Sequence, residues 1–334
     1  MAVTLKDIAR TVGVSVNTVS HVLNGKTDIS EETARRVREA AEKLGYRPNL
    51  NARSLVQKKT RTVGLAVTES DNPVRTALCE ELHNLAERDG YRILNVSLKY
   101  AWDTGNIRAV DELLARRVDG LVIGTVWNGP ELCYLEDILA ECRNSRLPAV
   151  LFGDPRPGLA DSVVIDMGER ARIITRHLLE RGRRRIVIIV RSERTDLIRG
   201  CRQAVEQSGS GATLTVIPEF AGRMQPACDA LCRFLDSAPL LPDAFIAGND
   251  LGALGFLAAL RSRGIRVPEQ CAVAGFDNIE FSRFSSPPLT TIGYESTELA
   301  GLIWGMMQDR LKGQCTDGFR RVVIPQKLFV REST

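Results

Sequence analysis

Four side chains near the start of the chain share a surface that could approach DNA. Val16, Asn17, Ser20 and His21 fall on one outward face of a short helical pattern, and that face carries neither Asp nor Glu. A small polar face without negative charge can come close to a polyanion. A solvated helical hairpin would show the same spacing, so the neighbouring elements must decide between these two interpretations.

The hydrophobic pattern places these four residues on the second helix of a pair. Apolar residues recur from Leu5 to Val12 at the spacing of one buried helical face, with Thr4 as the N-cap. Gly13 ends this helix because glycine adopts the left-handed C-terminal conformation at low cost, and Ser15 caps the next helix. The pattern therefore predicts a helix-turn-helix, whose second helix can enter the DNA major groove.

A third helix completes a small helical domain. It is predicted to run from Ser30, its cap, to Leu44, and Gly45 ends it. Its apolar stripe can cover the other two helices, whereas several arginines stay outside, where we expect some of them to contact phosphate groups. These arginines are Arg35, Arg36, Arg38 and Arg47.

Charge separates this segment from the rest of the chain. Residues 1–60 hold 11 Lys and Arg against 6 Asp and Glu, a balance of +5. Residues 61–334 hold 34 against 35, a balance of −1. A basic head on a near-neutral body is typical of a polyanion-binding module joined to another domain, and 334 residues are enough for two or three domains.

A linker is predicted at residues 48–61. Ala52 and Leu55 lie three apart on one face, and Arg53 is among the basic residues around them. A helix of about eight or nine residues is not stable alone in water. We therefore expect this segment to become helical only when something packs against it.

From residue 62 onward, short apolar runs alternate with helical stretches. Continuous apolar strands separated by helices predict parallel sheets that are buried on both faces. About eleven strands exceed one doubly wound sheet, so we predict two similar α/β subdomains with a ligand cleft at the carboxyl ends of the strands. The runs lie at 62–67, 91–97, 119–126, 148–154, 162–167, 183–190, 213–218, 243–250, 271–277, 289–294 and 320–325.

Long, ordered segments of the chain closely resemble the lactose/purine repressor (LacI/GalR-type) family of bacterial transcription regulators. Three segments resemble the family's DNA-binding head and hinge: TLKDIARTVGVSVNTVSHVLNG, ISEETARRVREAAEKLGYRPN and ARSL. Two later segments resemble the core of the family's effector domain: NDLGALGFLAALRSRGIRVPEQCAVAGFDN and, after it, PPLTTI. The resemblance covers nearly the whole chain.

This resemblance implies a fold, a set of partners and a repressor function. It implies a homodimer that binds a near-palindromic operator in double-stranded DNA, with a small-molecule effector, such as a sugar, in the cleft of a periplasmic-binding-protein-like body. The chain would cross between the two subdomains near 158, 290 and 319. The implied limits are a helix-turn-helix domain at 1–47, a hinge at 48–61, and an effector-binding and dimerisation domain at 62–334, with an N-subdomain at 62–157 and 290–318 and a C-subdomain at 158–289 and 319–334.

The resemblance also implies roles for residues of the head and hinge. Val16, Asn17 and His21 fall where the family contacts bases, which suits a thymine methyl, adenine and guanine respectively. Ser20 shares their face. In the hinge, Ala52, Arg53 and Leu55 fall on the helix that packs in the minor groove, with Leu55 as the wedge between base pairs.

In the cleft, the resemblance implies contacts with the effector. Phe220 matches an aromatic residue that stacks on the effector, and Asn249, Asp250 and Asp277 match polar residues at strand ends. Each of the three polar residues could instead cap a following helix. We interpret Phe220 and Asp277 as effector contacts and Asp250 as a cap, and Asn249 is retained as a candidate contact.

The chain departs from the family pattern in this cleft. The family has Arg three residues before the glycine that matches Gly200, whereas this chain has Leu197, and the preceding connection is several residues short. The aromatic residues common after the first strand are replaced by a segment that includes Arg75. We expect Arg75, with Arg191 and Arg194, to favour an acidic or phosphorylated ligand, although exposed arginines are usually only solvated.

Two other classes of function fit the sequence less well. An enzyme on a doubly wound fold would carry a recognisable motif, but the chain has no G-x-G-x-x-G, P-loop or G-x-S-x-G, and its three histidines form no catalytic set. A transport-type binding protein is disfavoured by the basic head and by a first segment, MAVTLKDIAR, that lacks a signal-peptide core. We therefore predict that the protein is not an enzyme.

Composition adds expectations about location and bound groups. No apolar run reaches membrane-spanning length, so we expect a cytoplasmic bacterial protein, associated with the nucleoid when bound to DNA. Its eight cysteines are scattered without a C-x-x-C pair. Ordinary reduced thiols, with no metal and no cofactor, are the prediction.

Overall fold

The protein divides into a short helical unit and a long α/β unit. A computed structural model describes residues 3–26, 29–46, 59–68, 72–98, 109–124, 131–153, 158–191, 194–219, 222–314 and 318–334. The two units span residues 1–60, the head, and residues 61–334, the body. Within the described ranges, no helix combines the length and the apolar character needed to span a membrane.

The head is formed by three helices, α1 (Leu5–Val12), α2 (Val16–Leu23) and α3 (Glu31–Lys43). Their apolar faces meet in one small core, as the helical spacing predicts. The helix-turn-helix pattern and the third helix are confirmed. The buried residues of this core are Ile8, Ala9, Val12, Val19, Val22, Ala34, Val37 and Ala41.

Local hydrogen bonds set where the first two helices begin and end. The backbone N–H and the hydroxyl of Thr4 both donate to the Asp7 carboxylate, at 2.9 and 2.7 Å, which holds the pKa of Asp7 below its ordinary value. Gly13 follows α1 with φ of 76°, the left-handed conformation expected of it. The hydroxyl of Ser15 accepts from the Thr18 N–H at 3.0 Å and so caps α2.

The body alternates strands and helices along the chain. Its described strands are β1 (Thr62–Thr68), β2 (Arg92–Leu98), β3 (Gly120–Gly124), β4 (Ala149–Gly153), β5 (Asp161–Val164), β6 (Arg185–Ile189), β7 (Thr213–Ile217), β8 (Ala244–Ala247), β9 (Ala272–Phe276), β10 (Thr290–Gly293), β11 (Arg321–Val323) and β12 (Lys327–Phe329). Its described helices are α4 (Pro73–Arg88), α5 (Ala109–Ala115), α6 (Glu131–Asn144), α7 (Met167–Glu180), α8 (Thr195–Ser208), α9 (Met224–Ser237), α10 (Asp250–Ser262), α11 (Phe281–Phe284) and α12 (Ser296–Leu311).

These strands form two six-stranded sheets. The first has the order β11-β5-β4-β3-β1-β2, and the second has the order β12-β10-β9-β8-β6-β7. Every pairing is parallel except that of β12 with β10, which is antiparallel. The predicted class, a helical head followed by two doubly wound α/β subdomains, is confirmed.

Helices cover both faces of each sheet, which is why the strands are apolar throughout. On the first sheet, α4 and α12 pack on one face and α5 and α6 on the other. On the second sheet, α7 and α8 cover one face and α9 and α10 the other. Both sheets are therefore buried between helical layers, and the free edges at the carboxyl ends of the strands are where side chains can form a site.

The three crossings between the sheets differ from the expected positions. Strand β5 pairs with β4 in the first sheet, so the first crossing lies after Val164 rather than near 158. Strand β10 pairs with β9, so the second lies after Gly293 rather than near 290. Strand β11 pairs with β5, so the third lies after Val323 rather than near 319. A short apolar strand has the same local pattern in either sheet, and only its distant partner decides where it belongs.

Candidate functional site

The outward face of α2 is the first candidate site, and packing of the opposite face sets its direction. Val19 and Val22 are buried in the core of the head. Val16, which is 41% exposed, and Asn17 lie on the exposed side. The structure thus places these two predicted residues where a large partner can contact them.

Two further residues of that face are only partly exposed. Ser20 and His21 are half-buried at the end of α2. The side-chain amide of Asn24 donates to the Ser20 carbonyl at 2.8 Å and to its hydroxyl at 3.3 Å. The hydroxyl keeps its own proton for donation, so Ser20 can still contact a partner while it helps to end the helix.

One arginine of α3 has a structural role that the sequence pattern did not reveal. The guanidinium of Arg36 donates to the Val12 carbonyl at 2.8 Å, which satisfies a backbone acceptor at the end of α1. Arg35 forms an exposed ion pair with Glu39, at 3.4 Å, on its own helix. Such an exposed pair contributes little to stability and leaves Arg35 able to exchange Glu39 for a phosphate group.

The predicted hinge contacts cannot be placed in this way. Ala52, Arg53 and Leu55 lie outside the described residues, and so does the predicted stacking residue Phe220. Their roles stay predictions.

A cluster of polar side chains at the carboxyl ends of the strands is the second candidate site, and Asp277 is its centre. Asp277 follows β9, and its backbone has φ of 106°, a conformation that non-glycine residues rarely adopt. Its Oδ1 accepts from Arg170 Nη2 at 3.2 Å and its Oδ2 accepts from Asn72 Nδ2 at 3.2 Å. Backbone strain of this kind is concentrated at functional sites.

Asp277 connects the two subdomains. Asn72 caps α4 of the first subdomain by accepting from the Val74 N–H at 3.2 Å, whereas Arg170 belongs to α7 of the second. Since Asp277 holds both, its carboxylate lies where the two subdomains meet. A ligand that competes for this carboxylate would change a contact between them.

Arg170 is a member of this cluster that the sequence analysis does not identify. Its side chain is 2% exposed, and it also donates to the Ile292 carbonyl at 2.7 Å. The guanidinium carbon lies 5.4 Å from the centre of the Phe276 ring and 5.8 Å from that of Tyr294, which are cation–π distances. An arginine in a helix rich in charged residues is normally solvated, so no local signal marked it.

Arg75 reaches the same cluster from α4. Its guanidinium carbon lies 5.4 Å from the Phe152 ring centre. Burial raises the pKa of Tyr294, and the positive charge of Arg75 acts in the opposite direction. The predicted contacts Arg75 and Asp277 are therefore both near Tyr294, in one site.

Asn249 and Asp250 act mainly within the protein. Asn249 caps α10 by accepting from the Gly252 N–H at 2.8 Å, and its amide donates to the Gly222 carbonyl at 2.9 Å. Both ends of the Asn249 amide are thus engaged, so any contact of Asn249 with a ligand would have to share these groups.

Asp250 is fully buried and acts within the protein, but it is not the helix cap that we expected, because Asn249 caps α10. It accepts from the Thr291 hydroxyl at 2.6 Å and from the Ile279 N–H at 3.0 Å. Burial, together with the negative charge of Asp277, raises the pKa of Asp250 to about 8. At neutral pH this carboxyl is therefore largely protonated.

The other residues singled out near the cleft differ in exposure. Leu197 is buried in the core against α7 and does not line a cleft. Arg191 and Arg194 are half-buried beside the carboxyl end of β6. Among the residues the structure describes, no three His, Cys, Asp or Glu side chains are grouped closely enough to hold a metal ion.

Two family models match the chain. Residues 4–49 match the model of bacterial regulatory proteins of the lacI family, and residues 175–334 match that of a periplasmic binding protein-like domain. The HTH-type transcriptional repressor PurR of Aliivibrio fischeri (strain ATCC 700601 / ES114) is 32% identical over 99% of this chain and 98% of its own length.

Solved structures of transcription regulators show the same fold. The lac repressor dimer bound to operator and the anti-inducer ONPF aligns with a TM-score of 0.86 at 25% identity, over 100% of this chain and 99% of that one. The transcriptional regulator CelR in complex with cellobiose aligns with a TM-score of 0.70 at 26% identity, over 99% of this chain and 100% of the other. These relatives are regulators of transcription, not enzymes.

Proposed function

This chain belongs to the lacI family of bacterial regulatory proteins, and we propose that it represses transcription by binding a DNA operator in response to a small molecule. The observation that carries this proposal is the outward face of α2, on which Val16 and Asn17 are exposed and no acidic side chain lies. A second helix of this kind enters the major groove in helix-turn-helix proteins.

Four residues of α2 are proposed to contact the operator. The Asn17 amide can form two hydrogen bonds with adenine, and His21 can donate to a guanine acceptor. Val16 can pack against a thymine methyl group, and the Ser20 hydroxyl can bond to a base or a phosphate. Asn17 is the best placed to distinguish sequences because it is exposed and its amide has both a donor and an acceptor.

The hinge is proposed to add contacts in the minor groove. Leu55 would insert between base pairs, with Ala52 packed beside it and Arg53 near the phosphates. The unstacking costs a few kcal/mol per base step, which the contacts made by the bent DNA offset. A helix this short would then form only on the operator, which couples DNA binding to hinge order.

Two chains are proposed to act together as a homodimer. A single head buries too little surface for high specificity, and two heads related by a two-fold axis would recognise a near-palindromic site. The lac repressor, which this chain resembles in fold, is a dimer on its operator. The site of action would be the bacterial cytoplasm, at the nucleoid.

The cluster around Asp277 is proposed to bind the effector. Asp277, Arg75 and Asn249 would supply polar contacts and Phe220 would stack on the ligand, with no cofactor or metal required. Because Asp277 contacts both subdomains, a ligand there can bias their arrangement and hence the affinity for DNA. The cellobiose complex of CelR supports a sugar-sized ligand in a body of this fold.

Selection of bound DNA from a random pool, with and without a metabolite panel, tests the regulator function. We expect an enriched sequence with two inverted half-sites, each protected in a footprint. A panel member should change the affinity for that sequence and leave the affinity for random DNA unchanged. Failure to enrich any sequence, or a single asymmetric half-site bound by a monomer, would contradict the proposal.

A further inference from the structure

The cleft lacks an arginine at the position where the family pattern has one. Leu197 stands there, and it is buried in the apolar core formed by α7, α8 and the second sheet. A leucine can offer neither a hydrogen-bond donor nor a charge. If the site around Asp277 needs a guanidinium, another element must supply it.

The start of α7 lies directly against α8 and can supply that group. A Cβ atom on Gly200 of α8 would collide with the Gly168 carbonyl oxygen of α7, so the two helices touch through their backbones. Arg170 follows Gly168 by two residues. Its side chain extends to Asp277, at 3.2 Å, and is nearly inaccessible to solvent.

The guanidinium of Arg170 is held from several directions. Besides Asp277, it donates to the Ile292 carbonyl at 2.7 Å and lies over the Phe276 and Tyr294 rings. A guanidinium buried in this way, with its charge balanced by one carboxylate, has little freedom to follow a ligand. It therefore fixes the position of Oδ1 of Asp277 rather than moving with it.

The exposed member of this pair is the carboxylate. Asp277 is 15% exposed, whereas Arg170 is 2% exposed, so an incoming ligand would meet Asp277 first. In the described part of the chain each Asp277 oxygen accepts one side-chain hydrogen bond, from Arg170 or from Asn72. A carboxylate oxygen has about two acceptor positions, so each can take one further donor from a ligand.

Charge decides what kind of donor that can be. Arg170 and Asp277 together are neutral, so a cationic amine at Asp277 would lose its hydration and leave one positive charge uncompensated beside Arg170. A hydroxyl group leaves the charge balance of the Arg170–Asp277 pair unchanged and satisfies the same acceptor. The pair therefore favours uncharged donors.

We propose that Arg170 is the positioning and specificity-determining residue of this cleft, in place of an arginine at position 197. It holds the Asp277 carboxylate as a fixed, charge-balanced acceptor, so that the ligand group at Asp277 is an uncharged hydrogen-bond donor, namely a hydroxyl of a polyhydroxylated ring. This inference rests on the proposed function insofar as that function assigns a small-molecule ligand to the cleft.

Calorimetric titration of the full chain with matched sugars tests the inference. The probes are hexoses and pentoses paired with their amino-substituted counterparts at pH 6, where the amine is protonated. The wild type should bind at least one neutral sugar about tenfold or more tightly than its amino partner, since the charged amine loses its hydration without gaining a free counter-charge. The inference is overturned if no neutral sugar binds. It is also overturned if the neutral and amino-substituted sugars of every pair bind equally well.

Substitutions separate positioning from a merely structural role. R170Q should abolish the preference for the neutral sugar, whereas R170K, which keeps the charge, should retain it with weaker binding of both partners. The matched control is R172Q, two residues along the same helix, where Arg172 is paired with Glu169 at the surface. If Arg170 had only a structural role, R170Q would weaken the binding of the neutral sugar and of its amino counterpart equally and leave the ratio of their affinities unchanged. That result would also overturn the inference.

A double substitution covers the case in which R170Q does not fold. R170Q/D277N replaces the ion pair by two amides that can hydrogen-bond, and it leaves no buried charge unpaired. It should fold and should bind neutral and amino sugars with affinities within about threefold of each other. A preserved tenfold preference in this variant would contradict the assignment. The DNA selection described above decides the regulator function separately, because a chain that binds sugar but no DNA would remove that function and leave Arg170 in its role.

Discussion

The two candidate sites are built in opposite ways. The face of α2 comes from one short stretch of chain, is exposed, and is oriented by caps and by the valines beneath it. The cleft site is assembled from residues far apart in sequence: Asp277 bonds to Arg170, 107 positions away, and to Asn72, 205 positions away. Its side chains are mostly buried and already paired within the protein.

This difference predicts how each site responds to substitution. An exposed residue that contacts nothing else can be removed at little cost to stability, so its loss is expressed in binding alone. A residue in a buried charged pair cannot be removed without leaving its partner uncompensated. Stability and ligand recognition are therefore separable on α2 and linked in the cleft.

The largest expected effect is the loss of Asp277. D277A should lower the free energy of unfolding of the body by about 3–5 kcal/mol, because Arg170 stays buried without its counter-charge. Urea unfolding followed by tryptophan fluorescence measures this selectively, since all three tryptophans lie beyond residue 60.

An ion pair at the surface is the matched control for D277A. Asp196 pairs with Arg199 on α8, and the Arg199 side chain is largely exposed. D196A should cost less than about 1 kcal/mol. Similar losses in D277A and D196A would mean that the cleft pair is as weakly coupled to stability as a surface pair, and the contrast between the two sites would disappear.

The next effect is a pH dependence that arises in the body. Burial and the charge of Asp277 raise the pKa of Asp250 to about 8, from an ordinary value of 3.8. Between these values the folded state holds a proton that the unfolded state has released. The free energy of unfolding should therefore fall as pH rises through this range, by at most about 1.4 kcal/mol per pH unit. D250N removes this titration, so the stability difference between wild type and D250N should change over that range and level off above about pH 8.

The pKa of Asp243, also in the body, is shifted in the opposite direction to that of Asp250. Burial alone would raise the pKa of Asp243. Hydrogen bonds from the Arg185 side chain and from the backbone of Arg184 and Arg185 outweigh this effect, so the pKa lies below its ordinary value. Its contribution is lost as pH falls through that lowered pKa and is constant near neutrality. The stability difference between wild type and D243N should therefore stay constant over the pH range in which the difference between wild type and D250N changes. If the free energies of unfolding of wild type and D250N had the same dependence on pH, Asp250 would not carry this proton.

The same contrast explains what could be predicted from sequence. The helices of the head were predictable because each start and stop depends on neighbours such as Thr4, Gly13 and Ser15, and the strands were predictable because fully buried strands are continuous apolar runs. The crossings near 158, 290 and 319, which the family resemblance implies, lie several residues too early, and no local pattern could correct them because the pairing of strand β5 with β4 is not a local property. Arg170 was missed for the same reason: nothing near it in sequence distinguishes a buried arginine from a solvated one.

A smaller effect tests whether α2 is a pure binding surface. N17A should weaken binding to the selected operator by about 1–3 kcal/mol, or about 5–150-fold, because one amide can make two hydrogen bonds to an adenine. Binding to random DNA should stay unchanged, and the stability of the head should shift by less than about 0.5 kcal/mol, since Asn17 is exposed. Equal losses on both DNAs would show that Asn17 does not distinguish sequences.

The smallest effect concerns the cap that orients this face. Ser15 accepts from the Thr18 N–H at 3.0 Å, and its hydroxyl also lies 2.9 Å from that of Thr18. S15A should destabilise the start of α2 by about 1 kcal/mol, which corresponds to about fivefold faster amide hydrogen exchange there in the full chain. S15N keeps a capping oxygen and should restore wild-type protection, while exchange in the body stays unchanged in both variants. If S15A left the exchange of α2 unaltered, packing of Val19 and Val22 would be orienting the face without the cap, and the head would depend on tertiary contacts just as the cleft does.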